Sequence, residues 1–241
     1  MPLSDRLVRP TDQASILEYL SGHRMFGVLQ QPDLESLLPE IVERIYPKYH
    51  RLYHKGEPTT HVYIVRSGLV VSAEEREEGN GCTWQIYASG DVLCSGAAIL
   101  DRPHVVTATA LADSTILLIP RGPFDRLWRG CPEMVPRIIQ EMYTTLRRTE
   151  QAVVSVAAKG AIARIAEFLL SSDPERDQAT GGEGMPIRWT LTHEDIAFLL
   201  GLSRETVSRA FSRLSRMKII ATGRRRIVIL NPSSLAELAR S

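Results

Sequence analysis

Arg204, Glu205, Ser208, Arg209 and Arg213 recur at steps of three and four residues, the spacing that places side chains on one side of a helix. Together they carry recognition chemistry. A guanidinium bonds both acceptors of a guanine edge, a carboxylate accepts from cytosine N4, and a short hydroxyl serves as donor or acceptor. From Ser203 to Arg226 there are eight Lys or Arg residues and one acidic residue, a bias suited to phosphates. The set holds no nucleophile–base pair. Its chemistry is that of reading and gripping a duplex.

Such side chains need a scaffold, and the flanking residues supply its signals. Ser203 is placed to cap the helix that bears them, and Val207, Ala210, Phe211 and Leu214 form its apolar side. A shorter helix precedes it, opened by Thr192 with Asp195 three residues on, a capping box, and apolar at Ile196, Ala197, Leu199 and Leu200. Gly201 ends that helix, since glycine accepts the left-handed turn a β-carbon resists. After the second helix, Ile219 to Leu230 reads as strand, turn at Thr222-Gly223, and returning strand, with Arg224, Arg225 and Arg226 at its tip. The pattern predicts a winged helix-turn-helix with Thr192, Ser203, Arg204, Glu205, Ser208, Arg209, Arg213, Arg224, Arg225 and Arg226 facing double-stranded DNA. The competing reading is a helical hairpin whose arginines are a solvated face. The caps, the glycine turn and the basic hairpin weigh against it.

Residues Leu191 to Ala239 resemble the DNA-binding domain of the CRP/FNR superfamily of bacterial transcription regulators, through the LSRETVSR core at Leu202 to Arg209 and the NPSSLAELA ending at Asn231 to Ala239. Glu205, Ser208 and Arg209 reproduce the E-x-x-S-R arrangement of its FNR-like branch, so the resemblance implies TTGAT-type half-sites. It also reaches the N-terminal half. Tyr53 to Val70 is similar to the opening of that family's double-stranded β-helix (jelly-roll) sensor domain, with Gly56, Gly68 and Gly90 at its turn positions.

The charge is unevenly distributed. The 241 residues carry a formal net charge of only +1, but Arg188 to Ser241 holds ten basic and four acidic residues against nineteen and twenty-four elsewhere. A basic C-terminal module on a mildly acidic body assigns nucleic acid to the C-terminus alone. No run of 18 apolar residues occurs and MPLSDRLVRPTDQ is no signal peptide, so no membrane partner is expected and a cytoplasmic location is. Cys82, Cys94 and Cys131 form no C-x-x-C pair, which predicts neither a disulfide framework nor a metal site.

The texture of the chain divides it into three. Residues 1–130 combine helical and loop-like segments up to Val42 with short apolar runs separated by turn residues, the mark of an antiparallel sandwich or barrel. Residues 131–159 form a long helix, in which Val135, Ile139, Met142, Leu146, Thr149, Val153 and Val156 alternate steps of four and three. That heptad stripe predicts a two-stranded seam flanked by Arg137, Glu141, Arg147, Arg148 and Glu150, and hence a homodimer suited to a palindrome. The alternative is a stripe packed on its own barrel. Lys159-Gly160 reads as a hinge into residues 160–241, and Ser171 to Pro186 as a polar loop. In relatives the corresponding surface can touch RNA polymerase, a third partner left open. The expected fold class is α+β: jelly-roll sensor, dimerisation helix, winged helix-turn-helix.

The resemblance places the effector site at Leu93, Cys94, Ser95, Ile99, His104, Val105 and Val106, with Met142, Thr145 and Thr149 from the long helix. The cyclic-nucleotide branch uses Gly-Glu and, about ten residues later, Arg-Ser or Arg-Thr, a carboxylate for ribose and a guanidinium for phosphate. Here Cys94-Ser95 and Val105-Val106 stand in their places and Arg102 is displaced by three residues. Cyclic AMP is therefore not expected, since its buried phosphate would lack a cation. An iron–sulfur cluster is not expected either, because no cysteine precedes Cys82. Two readings stay open: a small organic effector, which is favoured, and a haem-based gas or redox sensor using Cys94 or one of His23, His50, His54, His61 and His104. Two further classes, a protein-docking module and a metal-dependent barrel enzyme, lack support: the recognition face is arginine-rich, and no H-x-H or comparable ligand set occurs.

Overall fold

The computed structural model describes residues 12–74, 82–171, 185–188, 191–223 and 226–240. They form two compact units, one from residues 12–74 and 84–149, the other principally from 150–240. The boundary falls inside the long helix, at neither of the ends marked by the composition.

The first unit is a jelly roll. Strands β1 (Val42–Tyr46), β2 (Arg51–Tyr53), β3 (His61–Ser67), β4 (Val70–Glu74), β5 (Cys82–Tyr87), β6 (Val92–Leu93), β7 (Thr107–Ala110) and β8 (Ser114–Pro120) form two four-stranded sheets, ordered β1-β8-β3-β6 and β2-β7-β4-β5. Tyr63, Val65, Ile116 and Leu118 point between the sheets, where they meet Tyr46, Tyr53 and Leu93. The alternate residues Val62, Ile64, Leu117 and Ile119 point the other way, into a second core. A sheet buried on both faces explains why β3 and β8 read as unbroken apolar runs rather than alternating ones. Gly68 (φ +97°) makes the β3–β4 turn, and a β-carbon there would fall 2.7 Å from the Asp113 carbonyl oxygen. Any side chain would force the β8 entry away.

Helices cover the outer core. They are α1 (Gln13–Ser21), α2 (Gln31–Leu37, followed by a 3-10 turn), α3 (Ser95–Ile99), α4 (Arg121–Gly130) and α5 (Met134–Ala158). Ile16, Leu20, Phe26, Phe124, Met134 and Ile138 are the buried contributions of these helices and the α1–α2 loop. Each such side chain contributes on the order of 1.5–3 kcal/mol of transfer free energy. No helix among the described residues is long and apolar enough to cross a membrane.

The inner face of α5 is partly charged, which corrects the expectation that Glu141 flanks the seam; Arg148, expected beside it, is exposed. Glu141 is buried, and the Arg24 guanidinium donates to both its oxygens at 2.8 Å. Arg24 also donates to Asp91 at 2.7 Å, and Arg148 bonds both Asp91 oxygens at 3.1 Å. Two buried carboxylates thus share two arginines, fixing α5 to the turn before β6. The partner of Glu141 lies 117 residues away in sequence, beyond any local pattern.

His23 sits beside this network. Its Nδ1 accepts from the Met25 amide at 3.1 Å, so the proton stands on Nε2 and is donated to the Gly90 carbonyl at 3.0 Å. Burial foremost holds the ring below its ordinary 6.5. The unfolded chain therefore takes a proton below pH 6.5 that the folded chain refuses, and stability falls as pH drops from about 7 to 5. His23→Gln keeps a donor toward Gly90 and should flatten this fall, read as thermal midpoint against pH. An unchanged slope would move the effect to other groups.

The second unit contains α6 (Ala161–Ser171), α7 (His193–Leu200), α8 (Arg204–Arg216), α9 (Pro232–Arg240) and a sheet of β9 (Met185–Arg188), β10 (Ile220–Gly223) and β11 (Arg226–Ile229) in the order β10-β11-β9. Its core joins Ile165, Leu169, Ile196, Val207, Phe211, Leu214, Ile220, Ile229 and Leu235. The break between α5 and α6 is present at Lys159-Gly160. It is braced, because Glu167 accepts from Ser155 at 2.7 Å and pairs with Lys159 at 3.0 Å.

Candidate nucleic-acid interface and sensor site

Both caps of the helix pair form as the residue types require. The Thr192 hydroxyl accepts from the Asp195 amide at 3.1 Å, and the Asp195 carboxylate accepts from the Thr192 amide at 2.6 Å. Gly201 follows α7 in the left-handed conformation (φ 57°, ψ 44°). Arg164 donates to the Leu200 carbonyl, occupying an acceptor the helix end leaves open. The Ser203 hydroxyl then caps α8, accepting from the Thr206 amide at 3.2 Å.

The second helix divides as expected. Val207, Ala210, Phe211 and Leu214 are buried, while Arg204, Glu205, Ser208, Arg209 and Arg213 are exposed. Thr192 and Ser203 are exposed too, but their hydroxyls already serve the caps. Arg209 reaches only the neighbouring Thr206 hydroxyl, at 3.5 Å. Glu205 lies in the first turn, where a carboxylate is favoured by the helix dipole. The wing gains a third strand: β11 pairs with β9 through Ile227↔Ile187 and Ile229↔Met185, where the sequence reads as the end of a loop. Arg224 and Arg225 lie outside the described residues. Arg226 opens β11 opposite Gly223, and its side chain is likewise undescribed.

Residues 163–238 match the Crp-like helix-turn-helix domain, and residues 43–130 match the cyclic nucleotide-binding domain. The chain is 30% identical over 213 residues to the fumarate and nitrate reduction regulatory protein of Vibrio cholerae, covering 88% of this chain and 84% of that one. The transcriptional activator protein Anr of Pseudomonas protegens is 29% identical over 214 residues, covering 88% and 86%. Among solved structures, FixK2 from Bradyrhizobium japonicum superposes with a TM-score of 0.71 at 30% identity, over 82% of this chain and 96% of that one. The chain belongs to the CRP/FNR family. This CRP/FNR protein is accordingly a DNA-binding transcription regulator with a sensor domain, and its relatives are regulators rather than enzymes.

The long helix of this CRP/FNR regulator leaves its apolar stripe uncovered in the single chain. Val135, Ile139, Met142, Leu146, Val153 and Val156 are all exposed, and Thr149 is half-buried. Most of the stripe faces away from its own barrel, toward which Met134, Ile138 and Glu141 are turned; of the stripe residues, Met142 and Thr149 also touch the barrel unit, at Gly96 and Gln85.

The ten residues marked for the effector do not share one enclosed site. Leu93 and Ser95 are sealed in the core, whereas Val105 is 71% exposed. A β-carbon on Gly96 would sit 3.4 Å from Met142 Cε, so α3 closes against α5. Thr149 donates within the unit, its hydroxyl lying 3.2 Å from Gln85 Oε1 and 3.0 Å from the Thr145 carbonyl. Ile99, Thr145 and Val106 are half-buried. The structure brings Cys94 and His104 together, Sγ to Nδ1 at 3.4 Å, with His104 stacked on Tyr53 at 3.7 Å and 12°. Burial pushes the Cys94 thiol up to about 12, which keeps it protonated and argues against a thiolate redox sensor. His23 has both nitrogens engaged, which removes it as a haem ligand. Residues the sequence reading missed, Tyr53, Tyr63 and Gln85, prove central to the interior; all lie inward on strands.

Proposed function

We propose that the protein is a homodimeric, sequence-specific regulator that sets its two α8 helices into successive major grooves of a TTGAT-like palindrome, about 34 Å apart, under control of a small organic effector in the jelly roll. The observation that carries this reading is the division of α8, with four apolar residues fixing the helix and Arg204, Glu205, Ser208, Arg209 and Arg213 left free for a duplex. The exposed heptad stripe supports self-association, since an apolar face of that length is rarely left in water. Cyclic AMP finds no cassette: Cys94-Ser95 and Val105-Val106 replace its residues, and Arg102 is exposed.

Band-shift titration on palindromic and scrambled duplexes tests the reading. Arg209→Ala should cost about 1–3 kcal/mol of discrimination at one base pair. Arg225→Ala should weaken all duplexes alike and lower the salt slope by about one. Equal behaviour of the two variants would overturn this division of labour, and equal grip of the wild type on both duplexes would overturn the reading itself.

A further inference from the structure

One cleft of about 270 Å³ opens at the mouth of the jelly roll, walled by Tyr46, Tyr53, His61, Tyr63 and His104 and floored by Arg44. It shares only His104 with the effector site implied by the family resemblance. Val42, Arg44 and Tyr46 are alternate residues of β1, and Val42 and Tyr46 both pack into the inter-sheet core. Arg44 therefore occupies an inward strand position, where a charge is expensive unless paired. The Arg44 side chain is half-buried and hydrogen-bonded to Tyr46, but its Nε is buried and has no hydrogen-bond partner. It is the one Lys or Arg among the described lining residues. Glu57, also at the cleft, accepts from the His54 amide at 3.0 Å, and its charge still acts on Tyr63 and His104.

We propose that this cleft binds a small planar aromatic carboxylate, its carboxyl group on Arg44 and its ring against the Tyr53–His104 pair. The Tyr53–His104 stack, at 3.7 Å and 12°, gives the cleft an aromatic lining that favours a ring. The unpaired N–H selects an acceptor, and a carboxylate gives the guanidinium its strongest one. The tyrosine hydroxyls and both imidazoles remain neutral, because burial raises the phenols and lowers His61 and His104. They offer polar contacts without adding charge. Size agrees, since a cavity of about 150 Å³ accepts benzene.

The site also has a physical route to α5. His104 touches Cys94, which enters α3 with φ 68°, and α3 abuts Met142 through Gly96. A ring pressed on His104 is thus felt at the stripe of the long helix. That consequence rests on the regulator reading above; the binding itself does not.

Calorimetric titration of the full chain with benzoate, 4-hydroxybenzoate and phenylacetate, each to about 10 mM so that even a millimolar Kd registers, tests the proposal. At least one acid is expected to saturate a single site. Its neutral amide should bind at least about tenfold more weakly to the wild type, and Arg44→Met should lose a similar factor. The amide comparison needs no variant, so a misfolded Arg44→Met leaves the test intact. Absence of saturation by all three acids, or equal binding of acid and amide, would overturn the proposal. Band shifts on the same samples keep the two readings apart: palindrome binding without acid binding removes this site alone, and acid binding without palindrome recognition removes the regulator reading alone.

Discussion

Leu146→Arg should convert the protein from dimer to monomer. Leu146 lies mid-way along the exposed stripe of α5 and is itself 55% exposed in the single chain. Across a two-fold seam it meets its own copy, so the substitution sets two guanidiniums against each other in the least hydrated part of the contact. Each of the two chains also forfeits about 1.5–3 kcal/mol of leucine burial. Light scattering should give twice 26.9 kDa for the wild type and 26.9 kDa for the variant at micromolar concentration. Palindrome affinity should fall about 10²–10⁴-fold, because the second half-site loses its effective concentration. A half-site duplex, which one recognition helix reads alone, should bind both proteins equally. That last measurement separates a broken seam from a damaged helix-turn-helix. A wild type of 26.9 kDa, or a variant still at twice that, would overturn the seam.

The parts legible in the sequence are those whose determinants are local. Thr192, Asp195, Gly201 and Ser203 act within three residues of themselves, so α7, its glycine stop and the start of α8 could be read residue by residue. The stripe from Val135 to Val156 was equally visible, since a helix repeats its own face. What escaped depends on partners far along the chain. β9 is four residues long and exists through pairing with β11, about 40 residues later. The α4 segment RGPFDRLWRG carries glycine and proline in its first turn, and the packing of Phe124, Leu127 and Trp128 on the outer core supports it as a helix. Arg44, Tyr53, Tyr63 and His104 come from four separate segments and meet only when two sheets close. Resemblance to the family places the effector site instead between Leu93 and Val106 and on α5, and the cleft shares only His104 with it. Cys94, standing where the cyclic-nucleotide branch carries glycine, is a thiol that burial keeps protonated.

The same long-range logic makes Arg24 a residue whose loss should destabilise the sensor unit. Arg24→Ala leaves Glu141 without its bidentate partner and Asp91 with Arg148 alone, and both carboxylates are under one-tenth exposed. Orphaning a buried charge costs about 3–5 kcal/mol. Because the Arg24 side chain is itself 45% exposed, water already screens part of the pairing, so a discounted loss of about 2–3 kcal/mol is expected. For a chain of this size that lowers the melting midpoint by roughly 4–12 °C. A double-mutant cycle identifies the cause. Glu141→Gln alone leaves Arg24 with Asp91, whereas Arg24→Ala/Glu141→Gln removes the orphaned charge and should recover about 1 kcal/mol or more relative to the sum of the single changes. If the two losses simply add, the arginine acts by filling space, and the anchoring of α5 falls to Met134 and Ile138. If they couple, the inner face of α5 is held by charge while most of its outer face stays apolar, and one helix can then grip its own barrel and a second copy of itself through largely different side chains.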